Sequence, residues 1–256
     1  MIYFEAMKPQ IGNTSEFGRD LHQKSKKSPR NVADAGESKE PTRKKIEYSN
    51  PEQSSQKQDS HLKDKWKAFC DVHSIKVEDP RASDYQPIEH FHQLPSDASF
   101  ADNILKPFSS PTPIQSISWP LAFSGRDVIG IAETGSGKTL AFGLPCIRLL
   151  LKLRQMKMGN RRTLDTEKNP KGIMAAIVSP TRELALQIYD QMFCLAKSTG
   201  LQIACVHGGV PKEPQRQSLK VADVVVGTPG RINDLIQEMT LDLGNVQFFV
   251  LDEADR

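Results

Sequence analysis

The chain has 256 residues, a net charge of +3 and an isoelectric point near 8.6. Its hydrophobic content of 38 % and mean hydropathy of -0.48 leave room for one sizeable α/β domain plus a polar extension. No uninterrupted apolar stretch approaches the ~18 residues that span a bilayer, and Met1-Ile2-Tyr3-Phe4 is followed by acidic and polar residues rather than a secretory core, so a soluble intracellular protein without a membrane partner is expected.

From Ser25 to Ser60 only Val32, Ile46 and Tyr48 are large and apolar. Such a stretch cannot bury enough surface to offset its ordering entropy, and residues 1–84 are read as a disordered polar and basic extension. Lys24, Lys26, Lys27 and Arg30 form one basic cluster and Arg43, Lys44 and Lys45 another. Each reads as a nuclear-import signal, a phosphate-binding tail or a plainly solvated arm. Cys70, Cys146, Cys194 and Cys205 lack C-x-x-C spacing and lack histidines at zinc-ligand spacing. They are read as free thiols, with no disulfide-linked partner.

From Asp127 onward short apolar runs alternate with longer amphipathic segments. Asp127 to Ile131 reads as a buried strand, followed by a Gly-rich loop and a helix from Lys138 to about Leu151. Ile173 to Val178 is a second strand, and Thr181 to Ser198 a helix with Leu184, Ile188, Met192 and Leu195 on one face. Gln202–Val206 and Asp223–Val226 read as strands flanking a short helix, Lys212–Leu219. Arg231–Glu238 is a further helix and Gln247–Leu251 the last strand. Continuous apolar strands alternating with helices imply an α/β fold, a parallel sheet with helices on both faces. Ligands then sit beyond the carboxyl ends of the strands. Residues 152–172 interrupt this order with seven basic and two acidic residues and are read as a solvated surface insertion.

Two segments carry chemistry. Ala132-Glu133-Thr134-Gly135-Ser136-Gly137-Lys138-Thr139 follows G-x-x-x-x-G-K-[ST], with Ala132 in place of the first glycine. Backbone N–H groups curling at a helix N-terminus favour phosphate. Lys138 would place its ammonium on the outer phosphates, and the Thr139 hydroxyl would ligate Mg²⁺. Asp252 follows four apolar residues, so its carboxylate emerges at the sheet edge and suits a Mg²⁺ contact. Glu253 is the candidate to orient or deprotonate a hydrolytic water. Taken alone, the acidic pair is equally a surface cluster opening a helix.

Asp252-Glu253-Ala254-Asp255 together with residues 132–139 resembles the DEAD-box RNA helicase family. Phe108-Ser109-Ser110-Pro111-Thr112-Pro113-Ile114-Gln115 is similar to its Q motif, with the isolated aromatic Phe91 upstream; Pro107 stands where the family often has glycine. The resemblance implies a RecA-like P-loop lobe in residues 118–256, with a Q-motif region at 85–117. It further implies that Gln115, Phe91 and Phe108 hold the adenine of ATP, an amide being able to donate and accept at once. Pro180-Thr181-Arg182 resembles motif Ia, Gly208-Gly209 the GG motif, and Thr228-Pro229-Gly230-Arg231 motif Ib. The resemblance implies that these grip the RNA sugar-phosphate backbone, contacts that are independent of base sequence. Each also has a plain reading: Thr181 as an N-cap, Gly208-Gly209 as a turn, Pro229 as a first-turn proline.

The activity implied is ATP-dependent unwinding of short RNA duplexes. Tyr85 to Gln115 and Ala132-Glu133-Thr134 look like the nuclear, ribosome-biogenesis branch, which implies a location in the nucleus or nucleolus, otherwise the cytoplasm, and pre-ribosomal or RNP protein partners. The family's Ser-Ala-Thr motif and second lobe are absent. The chain is therefore expected to be a fragment with weak ATP binding and little hydrolysis, and with one unpaired edge on Gln247–Leu251. A truncated, non-catalytic RNA- or partner-binding module is the alternative. A small-molecule phosphotransferase is disfavoured, because it leaves Gln115 and motifs Ia and Ib unexplained.

Overall fold

A computed structural model describes residues 2–5, 64–79, 84–159 and 172–253. The two basic clusters, Ala254 and Asp255 lie outside them, as does most of the expected insertion. The described strands form one six-stranded sheet in the order β2-β1-β6-β3-β5-β4. These are β1 (Ile2–Glu5), β2 (Val128–Gly130), β3 (Ala175–Val178), β4 (Ile203–Val206), β5 (Val224–Gly227) and β6 (Phe248–Asp252). The neighbours among β6, β3, β5 and β4 pair parallel, as the apolar runs require. Val224, Val225 and Val226 are fully buried, because β5 is covered on both faces. Burying each such side chain contributes about 1.5–3 kcal/mol.

After α1 (residues 64–72) and the short α2 (Asp102–Leu105), helices α3 (Pro113–Phe123), α4 (Lys138–Gly159) and α5 (Arg182–Ala196) cover one face. There Phe142, Ile147 and Leu150 meet Ile177, Val226 and Val250, with Met192 and Leu195 from α5. Thr181 caps α5, its hydroxyl accepting from Leu184 N at 3.2 Å. Helices α6 (Lys212–Leu219) and α7 (Pro229–Gln237) cover the other face through Leu219, Ile232 and Leu235, against Ala176, Val206 and Val225.

Four expectations change. β1 lies antiparallel between β2 and β6, with Tyr3 opposite both Ile129 and Leu251. β6 is thus paired on both sides, and the open edge expected for it is closed. The run Asp127–Ile131 is not a buried strand: Ile129 is 64 % and Ile131 68 % exposed. β2 is the edge strand. Helix α4 continues to Gly159 rather than stopping near Leu151, since Lys152 to Met158 contains only good helix formers. Arg154 anchors that extension, donating to Gly200 O at 3.2 Å and to both carboxylate oxygens of Asp223 at 3.1 and 3.2 Å.

The fourth change concerns the expected disordered extension. Residues 64–72 form helix α1, and its Trp66 and Cys70 are buried against Ile117 and Leu121 of α3. Trp66, Phe69 and Cys70 recur at the spacing of one helical face, and Asp64 sits favourably in the first turn. This helix lies within the expected extension, twenty residues before its expected boundary, because this one turn of aromatic surface finds a partner.

Candidate functional site

β2 and β6 run in the same direction, each antiparallel to β1, so their carboxyl ends share one edge. Ile2 lies opposite both Gly130 and Asp252, which places the two strand ends about 10 Å apart by two strand spacings. The loop 132–137 leaves from the first end and the acidic pair from the second. Gly135 and Gly137 take φ of +84° and +87°, a conformation open to glycine at little cost, and α4 begins at Lys138. The Lys138 ammonium is turned back on its own loop, donating to Ala132 O at 2.7 Å. Ser136 Oγ is buried without a hydrogen-bond partner. A buried hydroxyl, and an ammonium whose one hydrogen-bond partner among the described residues is a main-chain carbonyl, fit an incoming phosphate.

The carboxyl of Asp252 is held above its ordinary range. Burial at the strand end is the main cause and the Glu253 charge the second, with the Lys138 ammonium pulling the other way. Glu253 has φ +50°, a left-handed conformation that costs a non-glycine residue about 1–2 kcal/mol. Among the described residues no group of three or more His, Cys, Asp or Glu side chains could hold a metal ion. A cation bound by Thr139 and Asp252 would complete its shell with water and phosphate oxygens.

A raised acid is penalised for ionising in the folded state. The penalty is absent below the ordinary value of 3.8, where both states are protonated, and complete above the folded value. Asp252→Asn is therefore expected to raise the thermal midpoint at neutral pH without divalent cations, by about 2–4 °C per kcal/mol relieved. The gain should vanish as the pH falls toward 3.8. Scanning calorimetry across that range checks it; a gain that persists in acid would assign the effect to packing instead.

Gln115 is 4 % exposed, and both ends of its side chain are engaged. Its oxygen accepts from Thr112 N at 3.1 Å and its Nε2 donates to Gly137 O at 3.0 Å. Helix α3 and the 132–137 loop are thereby fastened together. Trp119, missed in the sequence, is fully buried on α3. Its indole N–H donates to Leu140 O in α4 at 3.1 Å, and its ring lies 6.4 Å from that of Phe91. Phe91 thus belongs to the cluster. Phe108 does not: it is 54 % exposed on the turn before α3.

Pro180-Thr181-Arg182, Gly208-Gly209 and Thr228 to Arg231 leave the carboxyl ends of β3, β4 and β5, which are neighbours in the sheet. The Arg182 guanidinium abuts Gly209, where an added Cβ would meet Nη1 at 3.1 Å. Arg231 departs from the expected phosphate contact. It is 9 % exposed, and both terminal guanidinium nitrogens donate to Val210 O at 3.2 Å. Its short distance from the preceding loop lets it tie motif Ib to the GG turn. Buried Gln215 supports the same turn: it accepts from His207 N at 3.2 Å and donates to His207 O at 3.2 Å and Pro211 O at 3.3 Å. Nothing in the polar run Glu213 to Ser218 singled it out.

The model of the DEAD/DEAH box helicase family matches residues 112–256. The chain belongs to that family. The ATP-dependent RNA helicase dbp3 of Aspergillus clavatus is 53 % identical over 189 residues, covering 73 % of this chain and 36 % of the relative. Its counterpart in Emericella nidulans is 48 % identical over 217 residues, covering 84 % and 42 %. Among solved structures, the DEAD box protein of Methanococcus jannaschii superposes with a TM-score of 0.54 at 39 % identity, over 66 % of this chain and 42 % of that one. The yeast DEAD-box splicing factor Prp28 gives 0.60 at 30 % identity, over 74 % and 43 %. The chain spans well under half the length of these relatives. The likeness supports the RecA-like reading of the parallel strands, into which β1 is an antiparallel addition.

Proposed function

We propose that this chain is the ATP-binding and RNA-gripping lobe of an ATP-dependent RNA helicase that opens short duplexes. The observation that carries this reading is the shared sheet edge. Gln115, the 132–139 loop and Asp252-Glu253 converge at its β2–β6 end, and three Gly- and Arg-bearing loops continue along it over β3, β5 and β4. In this reading Gln115 and Phe91 recognise adenine, and Lys138 leaves Ala132 O for the outer phosphates. Thr139 and Asp252 would hold Mg²⁺, which when bound supplies positive charge to the phosphate oxygens. Glu253 accepts the proton of the attacking water. Arg182 and the backbone amides of Gly208, Gly209 and Gly230 meet the RNA backbone, and Arg231 holds their loops in place. The resemblance of residues 85–115 supports a nuclear role in RNA processing or ribosome biogenesis, with pre-ribosomal protein partners.

The test is the coupling of the two ligands. RNA affinity measured with and without an ATP analogue is expected to differ about 5-fold or more, and Lys138→Ala should abolish the difference. RNA binding indifferent to nucleotide would instead support the non-catalytic binding module.

A further inference from the structure

We infer that helix α1 and the segment behind it are a working part of the adenine site, with Trp66 as a positioning residue acting through α3. The inference rests on the reading of Gln115 as the adenine-recognising group. Helix α3 is gripped from two sides. Trp119 enters the main core and fixes α3 to α4. From the other side, Trp66 and Cys70 close on Ile117 and Leu121, with Ile75, Val77 and Tyr85 around them. Val128 of β2, the strand that feeds the phosphate loop, joins this second cluster as well. The turn between α3 and β2 is clamped too. Arg126 forms an ion pair with Asp79 and lies over the Tyr85 ring, 5.6 Å from its centroid. Ile88 N donates to Ser116 O at 3.0 Å, next to Gln115 itself.

Residues 64–79 and 85–88 therefore touch α3, which carries Gln115, and β2, the strand that leads into the loop Gln115 is bonded to, and they lie before residue 112, where the family match begins. Hydrogen bonds of 3.0–3.1 Å at Gln115 weaken steeply with displacements well under 1 Å. With one flank of α3 released, Gln115 loses its aim while the phosphate loop, held by α4 and β2, keeps its shape. The signature is loss of base discrimination rather than of phosphate affinity.

The experiment titrates fluorescent mant-ADP and mant-GDP into the full chain and into Trp66→Ala, Trp66→Phe and Arg126→Gln. The preference for ADP is expected to fall about 3- to 10-fold in Trp66→Ala, the range set by one amide hydrogen bond, with mant-GDP affinity unchanged. Trp66→Phe should restore most of it, and Arg126→Gln should move it the same way by less. A preference that survives Trp66→Ala, or a drop shared equally by both nucleotides, overturns the inference. If Trp66→Ala does not fold, Arg126→Gln decides alone: a lowered preference supports the brace and an unchanged one overturns it. If the unaltered chain shows no preference for ADP, the adenine reading of Gln115 fails and the inference falls with it.

Discussion

Replacing Gly137 by alanine is expected to weaken adenine-nucleotide binding about 10- to 100-fold, equivalent to about 1.4–2.8 kcal/mol, with a comparatively small loss of fold stability. Two separate penalties meet at this position. Gly137 has φ +87°, where an L side chain is strained by about 1–2 kcal/mol. An added Cβ would also lie 2.5 Å from Gln115 Nε2 and 3.1 Å from Thr112 Oγ1. The side-chain end can retreat, so the clash is relieved without moving backbone. The retreat breaks the bond from Nε2 to Gly137 O and displaces the group proposed to read the base. Gly135 supplies the control, with φ +84° and nothing within 4 Å of its would-be Cβ. Gly135→Ala should carry the conformational strain alone. Urea titration should therefore rank the two close together, within about 1–2 kcal/mol, while mant-ADP preference over mant-GDP separates them. Equal preference in both variants would detach Gln115 from base recognition.

Much of this architecture was legible because it is written in local periodicity. Val224-Val225-Val226 could only be a strand buried on both faces, and Leu184, Ile188, Met192 and Leu195 could only line one side of a helix. Lys212–Leu219 is observed at its expected bounds. What escaped was either disguised or non-local. Helix α3 carries Pro113, Pro120 and three polar residues on its buried face, which hid its period. The readable signal was Thr112-Pro113 followed by Gln115, a proline at the first helical position and an N-cap partner three residues on. In α1 the pattern was Trp66, Phe69 and Cys70 amid lysines. The segment Ile2–Glu5 had no local sign of its partners, since its pairing spans more than a hundred residues and its register depends on strands elsewhere.

The site divides along the same line. The phosphate loop and Asp252 are chemical motifs whose spacing is local, so their approximate places follow from strand ends. The status of Arg231 does not. An arginine at a loop-to-helix junction serves equally well reaching for a phosphate or folding back on a carbonyl, and only packing decides. Here Val210 O takes both guanidinium nitrogens. The edge that carries these loops is less cationic than its sequence suggests: the Arg182 guanidinium donates to Glu183 at 3.0 Å, Lys212 pairs with Asp234 and Glu238, and Arg216 pairs with Glu213 and Glu238. Those two cations hold the Glu238 carboxyl at about 2, far below its usual range. The pair contribution is complete above 4.5 and lost as the pH falls from there toward about 2. At neutral pH this network joins α6 to the C-terminal end of α7.

Trp119→Ala should be the most destabilising single change on α3, lowering unfolding free energy by about 3–5 kcal/mol. The side chain is fully buried, and its removal leaves a large cavity between α3 and α4. It also leaves Leu140 O without the indole donor at 3.1 Å and Phe91 without its ring neighbour. Trp119→Phe separates these effects. It keeps an aromatic ring in place and deletes the N–H, so about 1–2 kcal/mol should be lost, the range for one lost hydrogen bond with some packing loss. The chain has two tryptophans, so in either variant Trp66 remains as the fluorescent reporter of unfolding from the opposite flank of α3. Urea titrations should show shifted midpoints with little change in slope. A loss below about 1 kcal/mol for the alanine variant would mean that α3 is held chiefly by α1, and the order of the two grips on it would be reversed.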